Sequence, residues 1–91
     1  MNSKVINFDK VFIKHYQKRV LKNKKLHQLY KKSLSLFLDN PNNPKLRNHK
    51  LKGKLRSFRA FFIDDDCRVI YIEMEEGYLF LDIGKHDEVY K

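Results

Sequence analysis

The sequence predicts an α+β domain in which a short N-terminal strand and an αα-hairpin pack on a curved, mainly antiparallel β-sheet. Three observations carry this. Apolar residues from Phe12 to Leu38 recur at helical spacing, the period falls to two beyond Pro44, and Asn-Pro and Gly-bearing turns divide the segments. With 91 residues, 42% hydrophobic and without internal repeats, the chain should form one domain, 1–91, around one small core.

Val5, Ile6 and Phe8 make a short apolar opening suited to an edge strand, and Asp9 then offers a helix N-cap. Phe12, Tyr16 and Val20 follow at spacing four with Lys14, Lys18 and Lys22 interleaved, which is an amphipathic helix of about four turns. After a tight turn near Asn23, a second helix should bury Leu26, Leu29, Tyr30, Leu34, Phe37 and Leu38, with Lys24, Lys25, Lys31 and Lys32 outward, and should stop at Asn40-Pro41-Asn42-Asn43-Pro44. The remaining alternation reads as a three-stranded meander turning at Asp64-Asp65-Asp66 and Glu75-Glu76-Gly77. Phe58, Ala60, Phe62, Val69 and Tyr71 are expected on its helix-facing side, which would leave Arg59 and Arg68 together on the other. Paired guanidinium groups suit a phosphate.

Charge is sharply polarised. Residues 1–56 hold 16 Lys/Arg against Asp9 and Asp39, a net of +14, whereas the remainder is at −5. Such a field attracts polyanions through counterion release, so RNA, DNA or a strongly acidic protein are the leading partners. The single Cys67 cannot form an internal disulfide, no Cys/His set has zinc-ligand spacing, the first residues lack the apolar stretch expected of a signal peptide, and no run approaches the length needed to span a bilayer. A reducing cytoplasm is the expected location, with no membrane contact and no cofactor or metal.

The chemistry-bearing residues gather late in the chain. His86 follows the last strand and Tyr90 lies four residues on, so one helical turn would put both on one side. A histidine, ordinarily titrating near ~6.5, can give or take a proton at neutral pH. His49 heads the basic run HKLKGKLR and could approach the same face, whereas His15 and His27, among helix lysines, receive no role. Three adjacent aspartates in a turn cannot all converge on one ion, so only Asp66 is considered near a site. A ribose 2′-hydroxyl can attack its neighbouring phosphate once protons are moved and charge neutralised, so this set suggests RNA cleavage without a metal.

The segments L-R-N-H-K-L-K-G, F-R-A-F-F-I-D-D-D, R-V-I-Y and D-I-G-K-H-D-E-V-Y resemble the RelE superfamily of bacterial toxins from type II toxin–antitoxin pairs, and within it the YafQ-type branch. The resemblance runs through nearly the whole chain. It implies the RelE-like fold and cleavage of mRNA in the ribosomal A site, silenced by an acidic or flexible antitoxin segment. Residue by residue, it places catalytic positions of that branch on His49, Asp66 and His86 and its terminal aromatic on Tyr90. Basic positions similar to those of RelE itself fall on Arg59 and Arg68. At Phe62 the chain departs from a further catalytic histidine of active YafQ-type relatives.

The expected mechanism has His86 protonating the leaving 5′-oxygen, His49 or Asp66 assisting proton removal from the 2′-hydroxyl, and Arg59 and Arg68 stabilising the phosphorane. Lys50, Lys52, Lys54 and Arg56 would hold the RNA or ribosome, and Tyr90 would position a base or phosphate. The partners implied are an antitoxin, the ribosome with its mRNA, and operator DNA reached through the antitoxin. The alternative is a non-catalytic or degenerate RelE/ParE-like toxin that binds its antitoxin, nucleic acid or gyrase.

Overall fold

The computed structural model describes residues 4–52 and 57–90. Its elements run β1 (Val5–Phe8), α1 (Lys10–His15), a π-helical turn (Tyr16–Val20), α2 (Lys24–Asp39), β2 (His49–Lys50), β3 (Arg59–Phe62), β4 (Cys67–Met74), β5 (Gly77–Lys85) and α3 (His86–Val89). One sheet of order β1-β5-β4-β3-β2 results, antiparallel except where β1 joins β5 in parallel. That parallel edge needs Gly77, because a Cβ there would collide with the Val5 carbonyl.

Helix boundaries follow local chemistry. Asp9 Oδ2 accepts from the Val11 amide at 2.9 Å and Asn23 Oδ1 from the Leu26 amide at 3.1 Å, so each side chain satisfies an otherwise orphaned donor. The first helical run differs from the expected regular helix: from Tyr16 it widens into a π turn, with the Leu21 amide bonding the Tyr16 carbonyl at 2.9 Å. In α2, Leu38 is exposed rather than part of the buried stripe, whereas Tyr30, Ser33 and Phe37 are buried.

The main core lies between the helices and the sheet. Phe37 is its centre, with ring centroids 4.7 Å from Phe61, 5.1 Å from Tyr71 and 4.8 Å from Tyr78. Phe12, Val20, Tyr30, Leu46, Ile63, Cys67, Val69, Phe80 and Ile83 pack around it. A bulge between Ile70 and Tyr71 in the β4–β5 pairing inserts one extra β5 residue, so Phe80 and Ile83 both reach this core while Leu81 packs with the other. That second, smaller cluster, Leu51, Ala60 and Ile70, is flanked by Phe58, Val89 and Tyr90 on the opposite face.

The facing of β3 is the reverse of the expected one. Phe61 and Ile63 enter the helix-facing core beside Val69 and Tyr71, while Ala60 lies with Ile70 in the second cluster. In register, Phe62 stands opposite Arg68 and Arg59 opposite Tyr71. Arg59 and Arg68 therefore lie on opposite faces. Both alternating sets of F-R-A-F-F-I are apolar enough to be core, so period two identified residues sharing a face without saying which face the helices cover.

Cys67 is 3% exposed, and burial pushes its thiol up to about 12. Alkylation of the folded protein by iodoacetamide near pH 8 should be negligible and should become complete in denaturant. Rapid modification of the native protein, read by mass spectrometry, would contradict this burial.

Candidate active site

On the sheet face away from α1 and α2, a groove of about 440 Å³ is lined by His49, Lys50, Leu51, Lys52, Arg68, His86 and Tyr90. All of these except Leu51 were singled out from the sequence, and they come to one surface although β2 with its following residues, β4 and the α3 segment supply them from distant parts of the chain. Lys54 and Arg56 lie outside the described residues.

The side chains form a continuous ladder of contacts. The His86 and Tyr90 rings meet edge-on at 4.6 Å between centroids. The Arg68 guanidinium carbon lies 5.5 Å from the Tyr90 ring centroid and 4.4 Å from that of Phe62. Phe62 in turn is 6.0 Å from the His49 ring and 5.3 Å from the Arg47 guanidinium. Expected in the core, Phe62 instead borders the site, where its face holds two cations by their attraction for the ring.

Arg68 is 8% exposed and has no carboxylate partner among the described residues. Its Nε and Nη2 donate to the Asp66 carbonyl at 3.3 and 3.1 Å, which uses two of the five guanidinium N–H donors. A buried cation without a counter-ion is costly, and an anion such as a phosphate is what would offset that cost.

At His49, Nδ1 lies 2.8 Å from the Arg47 carbonyl. A carbonyl only accepts, so Nδ1 carries the proton and, in the neutral ring, Nε2 keeps the lone pair of a base. The geometry depends on Arg47, which has φ 50° in the left-handed region. A non-glycine residue there is strained, and such strain often accompanies functional sites.

His86 has an exposed ring, with Nδ1 3.6 Å from Asp87 Oδ1. The Tyr90 hydroxyl is buried and without a hydrogen-bond partner among the described residues.

Two expected members sit apart. Arg59 Nε donates to Asn48 Oδ1 at 3.0 Å, while Asn48 Nδ2 donates to the Tyr71 hydroxyl at 2.6 Å, so Arg59 ties the 41–48 loop to β4 on the helix side. Its expected pairing with Arg68 is corrected by the β3 register. Asp66 is exposed in the hairpin turn and does not line the groove; its carbonyl orients Arg68. Sequence reasoning missed Arg47, whose importance arises from a backbone conformation that residue spacing does not reveal. Among the described residues no cluster of three or more His, Cys, Asp or Glu could hold a metal, and no helix is long and apolar enough to cross a membrane.

A profile of the family described as "Bacterial toxin of type II toxin-antitoxin system, YafQ" matches residues 4–91. The chain belongs to the YafQ family. Solved structures share the fold. A copper-bound mutant toxin from Helicobacter pylori is 28% identical, with a TM-score of 0.77 over 97% of this chain and 100% of that one. YafQ from E. coli strain BL21(DE3) is 20% identical, with a TM-score of 0.76 over 98% and 100%. A chain of the E. coli DinJ-YafQ toxin–antitoxin complex is 20% identical, with a TM-score of 0.73 over 97% and 98%. No curated protein matches the chain. The family match makes this YafQ-type protein a toxin of a toxin–antitoxin system.

Proposed function

We infer that this YafQ-type toxin is an endoribonuclease that cuts mRNA in the ribosomal A site. The observation that carries the reading is the buried, uncompensated Arg68 guanidinium in a groove that also holds His49 and His86. His49 Nε2 takes the proton of the ribose 2′-hydroxyl, and the 2′-oxygen bonds to phosphorus. The P–O5′ bond then breaks and His86 protonates the departing 5′-oxygen. Arg68 stabilises the charge that gathers on the phosphorane, and Lys50 and Lys52 hold the flanking backbone. Tyr90 acts through its ring, orienting His86 and Arg68. Asp66 contributes its carbonyl to Arg68, and Arg59 remains a structural tie.

No metal takes part in this scheme, so the products should carry 2′,3′-cyclic phosphate and 5′-hydroxyl ends. Incubation with ribosomes bearing mRNA in the A site, followed by end analysis, tests it. No cutting, or 3′-hydroxyl and 5′-phosphate ends, would overturn the reading. Naked RNA should be cut weakly, because the ribosome supplies part of the substrate geometry. An acidic antitoxin segment lying over the basic surface is the natural silencer, as +14 in the first 56 residues attracts an acidic chain.

Phe62 gives a separate test. Phe62→His would place an imidazole beside Arg68 and Arg47, whose charges disfavour its protonation and so keep it available as a base. Losing the ring's cation contacts should cost about 1–2 kcal/mol. The variant should therefore stay folded in a thermal melt and cleave ribosome-bound mRNA faster than the parent. A collapsed fold would return Phe62 to the core.

A further inference from the structure

His86 opens a four-residue helix with no buried residue and Tyr90 is its C-cap, a segment too short to hold itself by its own hydrogen bonds. We propose that Arg19 is the positioning residue for both, acting from the helical layer; its catalytic consequence rests on the ribonuclease reading. Arg19 sits on the π turn with its side chain 18% exposed, and its Nη1 donates to the Ile83 carbonyl at 2.9 Å, immediately before Gly84. The same Nη1 is 3.5 Å from Asp82 Oδ1, and Nε is 3.5 Å from Glu88 Oε2. Glu88 Oε1 accepts from the Lys85 amide at 2.7 Å and so caps α3. One guanidinium thereby grips the last strand before α3 and the carboxylate that starts α3.

Gly84 makes this grip possible. A Cβ on it would stand 2.7 Å from both Arg19 Nη1 and Glu88 Oε1, so the ion pair closes over bare backbone. Asp82 is shared with His15, whose Nδ1 lies 2.6 Å from the same Oδ1. Arg19 is thus part of a partly buried network, unlike an isolated surface pair of little worth. A lysine, with one point charge, cannot serve Ile83, Asp82 and Glu88 together.

The Tyr90 amide bonds the His86 carbonyl at 3.0 Å and reports α3 directly. In Arg19→Met, hydrogen exchange at that amide should accelerate on the order of tenfold or more, while the β4 amides of Val69 and Tyr71 stay protected. The NOE between the His86 and Tyr90 rings should weaken. With ribosomes, kcat should fall with KM little changed, and Arg19→Lys should recover only part of the loss. Glu88→Gln keeps a cap acceptor but loses the charge, so it should move the same readouts less; it also serves if Arg19→Met fails to fold. Unchanged Tyr90 exchange and an unchanged ring NOE in a folded variant would overturn the proposal. A parent protein that cuts no ribosome-bound mRNA would instead defeat the ribonuclease reading, and the exchange and NOE data would still judge Arg19.

Discussion

His86→Ala should lower ribosome-dependent cleavage by about 10²- to 10⁴-fold while leaving the fold and RNA binding intact. The ring is 61% exposed and packs only its edge against Tyr90, so its loss opens no cavity in either core. What disappears is the proton for the 5′-oxygen. Single-turnover cleavage of ribosome-bound mRNA, beside a thermal melt, checks both the lost activity and the retained fold. Equal rates for parent and variant would remove His86 from the mechanism and leave His49 and Arg68 as the remaining candidates.

Arg68→Met should separate activity from stability in opposite directions. Methionine fills much of the space between Phe62 and Tyr90 without the charge, so the transition state loses its principal cationic donor and cleavage should drop by about 10²- to 10³-fold. Stability should hold or rise. A cation at 8% exposure without a carboxylate partner among the described residues carries an unrecovered desolvation cost, and replacing it with an apolar side chain removes that cost. The lost cation–ring contacts, about 1–2 kcal/mol, set the scale of the opposing effect. A melting temperature well below that of the parent would mean that Arg68 is chiefly structural. A higher melting temperature with lost cleavage would identify it as a residue kept for function at the expense of stability.

The residues that line the groove were largely legible. His86 and Tyr90 are separated by one helical turn, and their spacing alone places both on one side of α3. His49, Lys50, Lys52 and Arg68 were marked by charge and residue type, and the fold gathers them into the same groove. The helix boundaries were equally plain, because Asp9 and Asn23 start helices through bonds to their immediate neighbours and Asn40-Pro41 ends the second. Arg47 escaped notice because its contribution is a positive φ and a carbonyl direction. The π turn escaped because a single widened turn leaves the apolar spacing of Phe12, Tyr16 and Val20 almost unchanged.

By itself, then, the sequence determined the α+β class, the succession of N-terminal strand, two helical segments and three meander strands, the polarised charge and the set of groups able to move protons or bind phosphate, since each depends on local spacing or on residue identity, whereas the short edge strand β2 came only with the fold. Tertiary structure alone decided which face of β3 the helices cover, and with it the placement of Phe62 at the site and of Arg59 away from it. The physical reason lies in the strand itself. Phe58, Ala60 and Phe62 on one side and Phe61 and Ile63 on the other are both apolar sets, so alternation offered two nearly equivalent facings. The choice fell to packing: Phe61 stacks on Phe37 of α2 at 4.7 Å, and that contact turns Phe62 toward Arg68.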